Sequence, residues 1–348
     1  KDGDSIPEID GGERILRSGV MANFLQSKGC NVTIWCSTWS HQQKKFRERR
    51  DSSFLLSNGV KIRMLHSCGY KKNISLSRIR HNKVLAKRFI THVKSLNDKP
   101  DLIITSLPTV DFSYAAMRVA KKFSIPLIVD LRDKWPDIFV EIFKYPLNKI
   151  ARLFFHDQFT KMKKLCEYAT SFIAISSPFL SWGLKYANRE RNIYDNVLPL
   201  VSDNRDVTKN DIVIRKHVHD AVKLIKDKFV CVYAGSLSPT IKLDVIIESF
   251  RELPDDIYFI IAGTSVRIDE YLKLANNNKR ILFLGWLNSN ELNFIYSVSD
   301  VGLAPYVNEP YFSMNLTNKP IEYLFHGLPV LTTVKGYLSE MLESNFMG

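Results

Sequence analysis

The sequence contains no run of about eighteen apolar residues, so nothing in it reads as a membrane-spanning helix. Its opening dozen residues, KDGDSIPEIDGG, lack the apolar centre of a signal peptide. Cysteine is scarce and odd in number: Cys30, Cys36, Cys68, Cys166 and Cys231 are scattered, with no C-x-x-C pair. That argues against a disulfide framework or a thiolate zinc site and fits buried thiols in a reducing cytosol. The eight histidines are dispersed and offer no ligand cluster, and Asp2-Gly3-Asp4 resembles an acidic metal motif only superficially. No metal site is expected. Low-complexity segments and short internal repeats are lacking too.

What is present is ordinary globular material, 45% apolar and 24% charged, in a chain whose 348 residues exceed one typical core and predict two domains. The charge is uneven. Residues 1–202 carry 34 Lys and Arg against 18 Asp and Glu, whereas residues 203–348 carry 15 against 18. A basic first half and a near-neutral second half imply different partners. The basic runs at 44–50 and 71–88 suit anionic lipid headgroups or nucleic acid, although a merely solvated basic face has the same composition. No nucleic-acid-binding module accompanies the charge, so nucleic acid is not the expected partner.

Periodicity predicts strands at 31–37, 61–65, 101–105, 126–131 and 171–175, alternating with helices at 14–28, 75–96, 111–123 and 149–168. Nearly all-apolar strands separated by helices indicate a parallel sheet covered on both faces. Such a domain normally opens on a strand, and the expectation is that this chain begins just after it. Polar residues 203–228 read as a linker. The alternation then restarts: strands at 229–234, 257–262, 280–284, 301–304 and 330–332, helices near 241–253, 269–276 and 289–298. The fold class expected is α/β, two Rossmann-like doubly wound domains (1–202 and 229–348) facing across a cleft, both trimmed.

The stretch SMNLTNKPIEYLFHGLPVLT, residues 313–332, organises the second half. Thr317 or Asn318 can cap a helix with Lys319 and Pro320 in its first turn, and Gly327 with Pro329 ends it. A helix start points free N–H groups outward and suits a phosphate. Glu322, about one turn in, could accept hydrogen bonds from two ribose hydroxyls. An ordinary capped helix with a solvated Glu has the same local pattern. In open α/β sheets ligands bind beyond the carboxyl ends of strands, and four such ends carry Gly235-Ser236-Leu237, Gly263-Thr264, Gly285-Trp286 and Pro305-Tyr306. Lys242, just past the first, could neutralise a diphosphate.

These segments (Y-A-G-S-L with Lys242, F-I-I-A-G, I-L-F-L-G-W-L, S-D-V-G-L-A-P and N-K-P-I-E-Y-L-F-H-G-L-P-V-L) resemble the nucleotide-binding domain of family-four glycosyltransferases. Those enzymes have the GT-B fold. The I-D-G-G-E-R loop and D-L-R-D-K-W-P (residues 130–136) resemble pieces of its bacterial polysaccharide-synthesis members. The resemblance implies a donor diphosphate held by Gly235, Ser236 and Lys242, a base bordered by Gly285 and Trp286, and a ribose on Glu322. Asn318 and Lys319 would line the sugar–phosphate side, Gly11 and Gly12 of the other domain would close over the donor, and Asp133 would face the reacting sugar and acceptor. Two positions depart from the pattern: Met314 stands where many members carry a second Glu, which leaves Ser313 or Asn315 as the substitute, and Leu243 replaces the usual glycine.

The activity so implied is retaining transfer of a sugar from a UDP- or GDP-sugar donor, without cofactor or metal, to a glycan or polyprenyl-diphosphate-linked acceptor. Catalytic roles would fall to Asp133, Lys242 and Glu322. The expected location is cytoplasmic, peripheral on the inner face of the cell membrane, with the basic half against anionic lipid. Two rivals share the fold: a nucleotide-sugar 2-epimerase, and a non-catalytic nucleotide-sugar-binding subunit, suggested by Met314.

Overall fold

The computed structural model describes residues 3–10, 15–72, 75–94, 99–141, 143–200, 214–264 and 267–348. The chain divides into two compact units, Lys1–Pro199 and Leu200–Gly348. Each is an α/β domain of mainly parallel strands.

In the first unit β1 (Thr33–Ser37), β2 (Trp39–Ser40), β3 (Lys45–Phe46), β4 (Ser52–Leu55) and β5 (Lys61–Leu65) come first. They are followed by β6 (Ile103–Ser106), β7 (Leu127–Leu131), β8 (Ser171–Ala174) and β9 (Asn196–Val197). One sheet has the order β1-β5-β4, with β4 antiparallel to β5, and another the order β6-β7-β8-β9, parallel throughout. β2 and β3 form a separate antiparallel pair. The central strand β7 buries Leu127, Val129, Asp130 and Leu131 on both faces, as a sheet covered by helices on each side requires. The helices Leu76–Lys94 and Val110–Phe123 supply one cover through Leu85, Phe89, Phe112 and Ala115.

The predicted helix at 149–168 is two helices, Leu147–Phe154 and His156–Tyr168, broken at Phe155. The edge strand β4 and the β2–β3 pair escaped the sequence reading because they are short and partly exposed, so they lack an apolar period.

The second unit holds β10 (Phe229–Ala234), β11 (Ile257–Ala262), β12 (Ile281–Gly285), β13 (Val301–Ala304) and β14 (Val330–Thr332) in the parallel order β12-β11-β10-β13-β14. The described part of the stretch read as a linker contains the helix Lys216–Leu224, whose Val218 and Ala221 pack into this unit's core. The chain winds outward from β10 through β11 to β12, then returns on the other side with β13 and β14. The order therefore reverses between β10 and β13, and a crevice opens at the carboxyl ends of such a pair. Two loops knit together there: the Lys242 N–H donates to the Pro305 carbonyl at 2.6 Å and the Val307 N–H to the Thr240 carbonyl at 2.9 Å.

Candidate functional site

At the reversal point, β10 ends on Gly235, with φ +143°, a conformation that L side chains rarely adopt. A Cβ there would lie 2.2 Å from Cε and 2.5 Å from Nζ of Lys319. The Lys319 ammonium therefore occupies the space a side chain would take, 5.5 Å from the centre of the Tyr233 ring. Gly263 ends β11 beside it. The Gly235 N–H donates to the Ala262 carbonyl and the Gly263 N–H to the Gly285 carbonyl, both at 2.7 Å, which sets three strand ends in a row.

Lys319 belongs to the helix Asn318–Phe325, of which Thr317 is the N-cap residue. The Thr317 hydroxyl does not cap the helix; it donates to the Tyr306 hydroxyl at 2.7 Å. The helix start is thus free of a side-chain cap and carries its positive dipole end toward the reversal point. The helix is fixed by Tyr323, fully buried, whose hydroxyl accepts from the Ala234 N–H at 3.1 Å. Its ring fills the space left by Gly302 on β13, where a Cβ would approach it to 2.3 Å. On the adjacent turn the Glu322 carboxylate accepts from the Tyr296 hydroxyl at 3.3 Å. Burial lowers the pKa of the His326 imidazole and so favours the neutral ring, while the Glu322 carboxylate pulls the other way, toward the charged form.

The remaining predicted donor residues are more loosely placed. Lys242 is the N-cap residue of Leu243–Ser249, with its side chain exposed and its backbone in the knitted loops. Ser236 is exposed, and its carbonyl accepts from the Tyr233 hydroxyl at 2.7 Å. Asn318 is exposed at the helix start. Ser313 and Asn315 lie at the end of the preceding short helix, Pro310–Met314 and its C-cap; Asn315 is buried and the Ser313 hydroxyl donates to the Glu309 carbonyl. Gly11 and Gly12 lie outside the described residues. The structure thus brings Gly235 and Lys319 into contact and Glu322 onto the next turn.

Trp286, 64% exposed, is held by residues the sequence reading passed over. Its carbonyl accepts from Arg215 Nη2 at 2.6 Å, and the same guanidinium forms a 2.6 Å ion pair with the fully buried Glu291. Glu291 also completes a capping box with Asn288. The hydrogen bonds from Arg215, outweighing burial, and those from the backbone N–H groups of Asn288 and Arg215 pull the Glu291 carboxyl down to about 2. A depressed carboxyl stabilises the fold above its unfolded pKa and loses that contribution as pH falls. Stability from this pair is expected to be full above about pH 5 and to fade between the ordinary Glu value and pH 2. Urea unfolding from pH 7 to pH 3 should show a shallower acid decline in Glu291→Gln than in wild type; identical profiles would refute the assignment. The N-x-x-E spacing at 288–291 was the available signal.

In the first unit the candidate loop follows β7. Asp130 is 1% exposed, and it accepts from Arg17 Nε at 3.1 Å and from the Ser106 hydroxyl at 3.0 Å. Arg17, the first residue of the helix Arg17–Ser27, also donates to the carbonyls of Leu198 and Pro199 at 2.6 and 2.8 Å, tying that helix to the end of the unit. Arg132 pairs with Asp4 at 3.1 Å. Burial would lower its guanidinium, but Asp4 and Asp130 outweigh burial and raise it. Asp133, half-buried, adds its charge to those acting on Arg132 and precedes Trp135, over whose ring Arg78 stacks at 4.9 Å. Within the basic run at 44–50, Arg47 is buried in a 2.7 Å pair with Asp10 and is structural. Among the described residues no group of three His, Cys, Asp or Glu could hold a metal ion.

Residues 228–348 match the family described as Glycosyl transferases group 1. No curated relative matches the chain. Among solved structures it is similar to sucrose-phosphate synthase from Thermosynechococcus elongatus, 14% identical with TM-score 0.67, covering 97% of this chain and 82% of that one. It is similar to Anabaena HepE in complex with UDP, 14% identical with TM-score 0.59 over 97% and 81% of the two chains. WaaG, a glycosyltransferase involved in lipopolysaccharide biosynthesis, is 13% identical with TM-score 0.58 over 93% and 79%. At such identity the likeness is one of fold, that of GT-B glycosyltransferases with two Rossmann-like domains.

Proposed function

We propose that the chain is a retaining glycosyltransferase that takes a sugar from a nucleoside-diphosphate donor and passes it to a glycan or lipid-linked acceptor. One observation carries the reading: the Lys319 ammonium lies over Gly235 at the point where the strand order reverses, with Glu322 on the next turn. All three residues fall within the segment that matches the transferase family.

The charges then have a use. Breaking a sugar–diphosphate bond develops negative charge on the leaving phosphate, and Lys319, Lys242 and the uncapped helix-start N–H groups answer it. Glu322, oriented by Tyr296, accepts from the ribose hydroxyls. The exposed Trp286 ring offers a stacking face for the base. Asp133 serves the acceptor side, as the group that receives the attacking hydroxyl's proton. The acceptor adds on the face that the diphosphate leaves, so configuration is retained.

Titration calorimetry with UDP and GDP tests this directly. One nucleotide is expected to bind saturably, and Glu322→Ala to weaken it ~30-fold, the loss of about 2 kcal/mol for hydrogen bonds to a charged group. A folded wild-type chain that binds neither nucleotide would sink the reading. Binding without nucleotide release in the presence of acceptors would favour the non-catalytic subunit, which Met314 also suggests.

A further inference from the structure

The segment just after the Asp133 loop breaks the usual rule for apolar side chains. Phe143, Tyr145, Leu147, Ile150, Leu153 and Phe154 are all exposed, Leu153 at 77% and Tyr145 at 73%. Single exposed apolar residues need no explanation, but a contiguous group of large ones marks an interaction surface. Leu147, Ile150 and Phe154 recur at i, i+3, i+7 and so share one face of the helix Leu147–Phe154. Ala151 of the same helix is buried and anchors it.

The face is held rigidly. Phe155 stacks on Phe139 with ring centres 4.4 Å apart, and Phe139 packs edge-on against Trp135 at 4.5 Å. Phe154 meets Phe155 at 5.0 Å. The apolar face is thereby connected, ring to ring, to the loop that carries Asp133.

Its charge identifies the occupant. Residues 143–155 contain Lys144, Lys149 and Arg152 and no carboxylate. The Lys149 ammonium lies 5.0 Å from the centre of the Tyr145 ring, and Arg152 lies 4.7 Å over Phe159. A second copy of this chain would bring three cations against three, a like-charge juxtaposition that opposes pairing. A helix with an apolar face, aromatic residues and flanking Lys and Arg matches instead the interface of an anionic bilayer. No described helix is long and apolar enough to cross a membrane, so the contact is one of lying on the surface.

We propose that residues 143–154 form a membrane-docking surface that seats the chain on anionic lipid, with the Asp133 loop beside the headgroups. This deepens the proposed function by naming where a lipid-linked acceptor is met, and rests on that function only for the acceptor's identity. The docking itself does not require transfer.

Co-sedimentation of the full chain with vesicles tests it, using phosphatidylcholine alone and phosphatidylcholine with one quarter phosphatidylglycerol. Wild type is expected to favour the anionic vesicles ~100-fold, about fivefold for each of three cations near the surface. The double variant Leu153→Glu with Phe154→Glu should lose at least tenfold, and so should Lys149→Glu with Arg152→Glu. UDP or GDP binding by calorimetry should be unchanged in both. Equal vesicle binding by wild type and the Leu153/Phe154 variant would overturn the proposal. So would no vesicle binding alongside a dimer, seen in sedimentation velocity, that the same variant dissolves. Failure of nucleotide binding with vesicle binding intact would remove the transferase reading and leave the docking surface standing.

Discussion

Gly263→Ala is expected to lower folding stability by about 4 kcal/mol, read as a lower urea midpoint at unchanged slope. Two penalties combine. The residue has φ +153°, a backbone conformation that strains any L side chain by about 1–3 kcal/mol. A Cβ there would also stand 1.9 Å from the carbonyl oxygen of Gly235, and backbone of the next strand cannot swing aside as a lysine tip can. Moving it would stretch the 2.7 Å bond from the Gly235 N–H to Ala262. Gly285→Ala is the control: its φ of +67° is strained too, but nothing lies within 4 Å of the added methyl. That change should lose only about 1 kcal/mol. If the two variants unfolded at the same urea concentration, the close approach of the β10 and β11 ends would not be a feature of the folded protein.

The contrast explains what the sequence could reveal. The strands at 229–234, 257–262 and 301–304 were legible to the residue because each is a continuous apolar run closed by glycine or proline. Gly235, Gly263 and Gly285 were legible as strand ends. That a lysine from residue 319 fills the space above Gly235 was not, since the two are brought together only by the return of the chain after β13. Tyr323 left a fainter trace: Gly302 inside an apolar strand signals a close approach, but not the partner. Arg47 shows the opposite limit. In a run of five cations composition suggested a surface for anions, whereas Asp10, far away in sequence, buries that one guanidinium. The apolar face at 143–154 was hidden because a period-3.6 pattern is read as core, and exposure is a property of the folded neighbours.

Arg17→Met is expected to destabilise the first unit by about 3–5 kcal/mol, the usual result of removing one partner from a buried ion pair. Asp130 would keep the Ser106 hydroxyl at 3.0 Å and Arg132 at 3.9 Å, too little for a carboxylate 1% exposed. The two carbonyls of Leu198 and Pro199 would lose their donor as well. Pairing Arg17→Met with Asp130→Leu should recover much of the loss, because apolar replacement of both partners leaves no unpaired charge. A single variant that loses less than about 1 kcal/mol would place the pair among those that solvent already satisfies. Asp130 stands three residues before Asp133, so the ionic group that Arg17 anchors also sets where the Asp133 loop begins. The Gly235–Lys319 site belongs to the other unit. An Arg17→Met chain measured below its unfolding transition should therefore bind nucleotide as wild type does while losing sugar transfer, and equal loss of both would deny the first unit a role of its own.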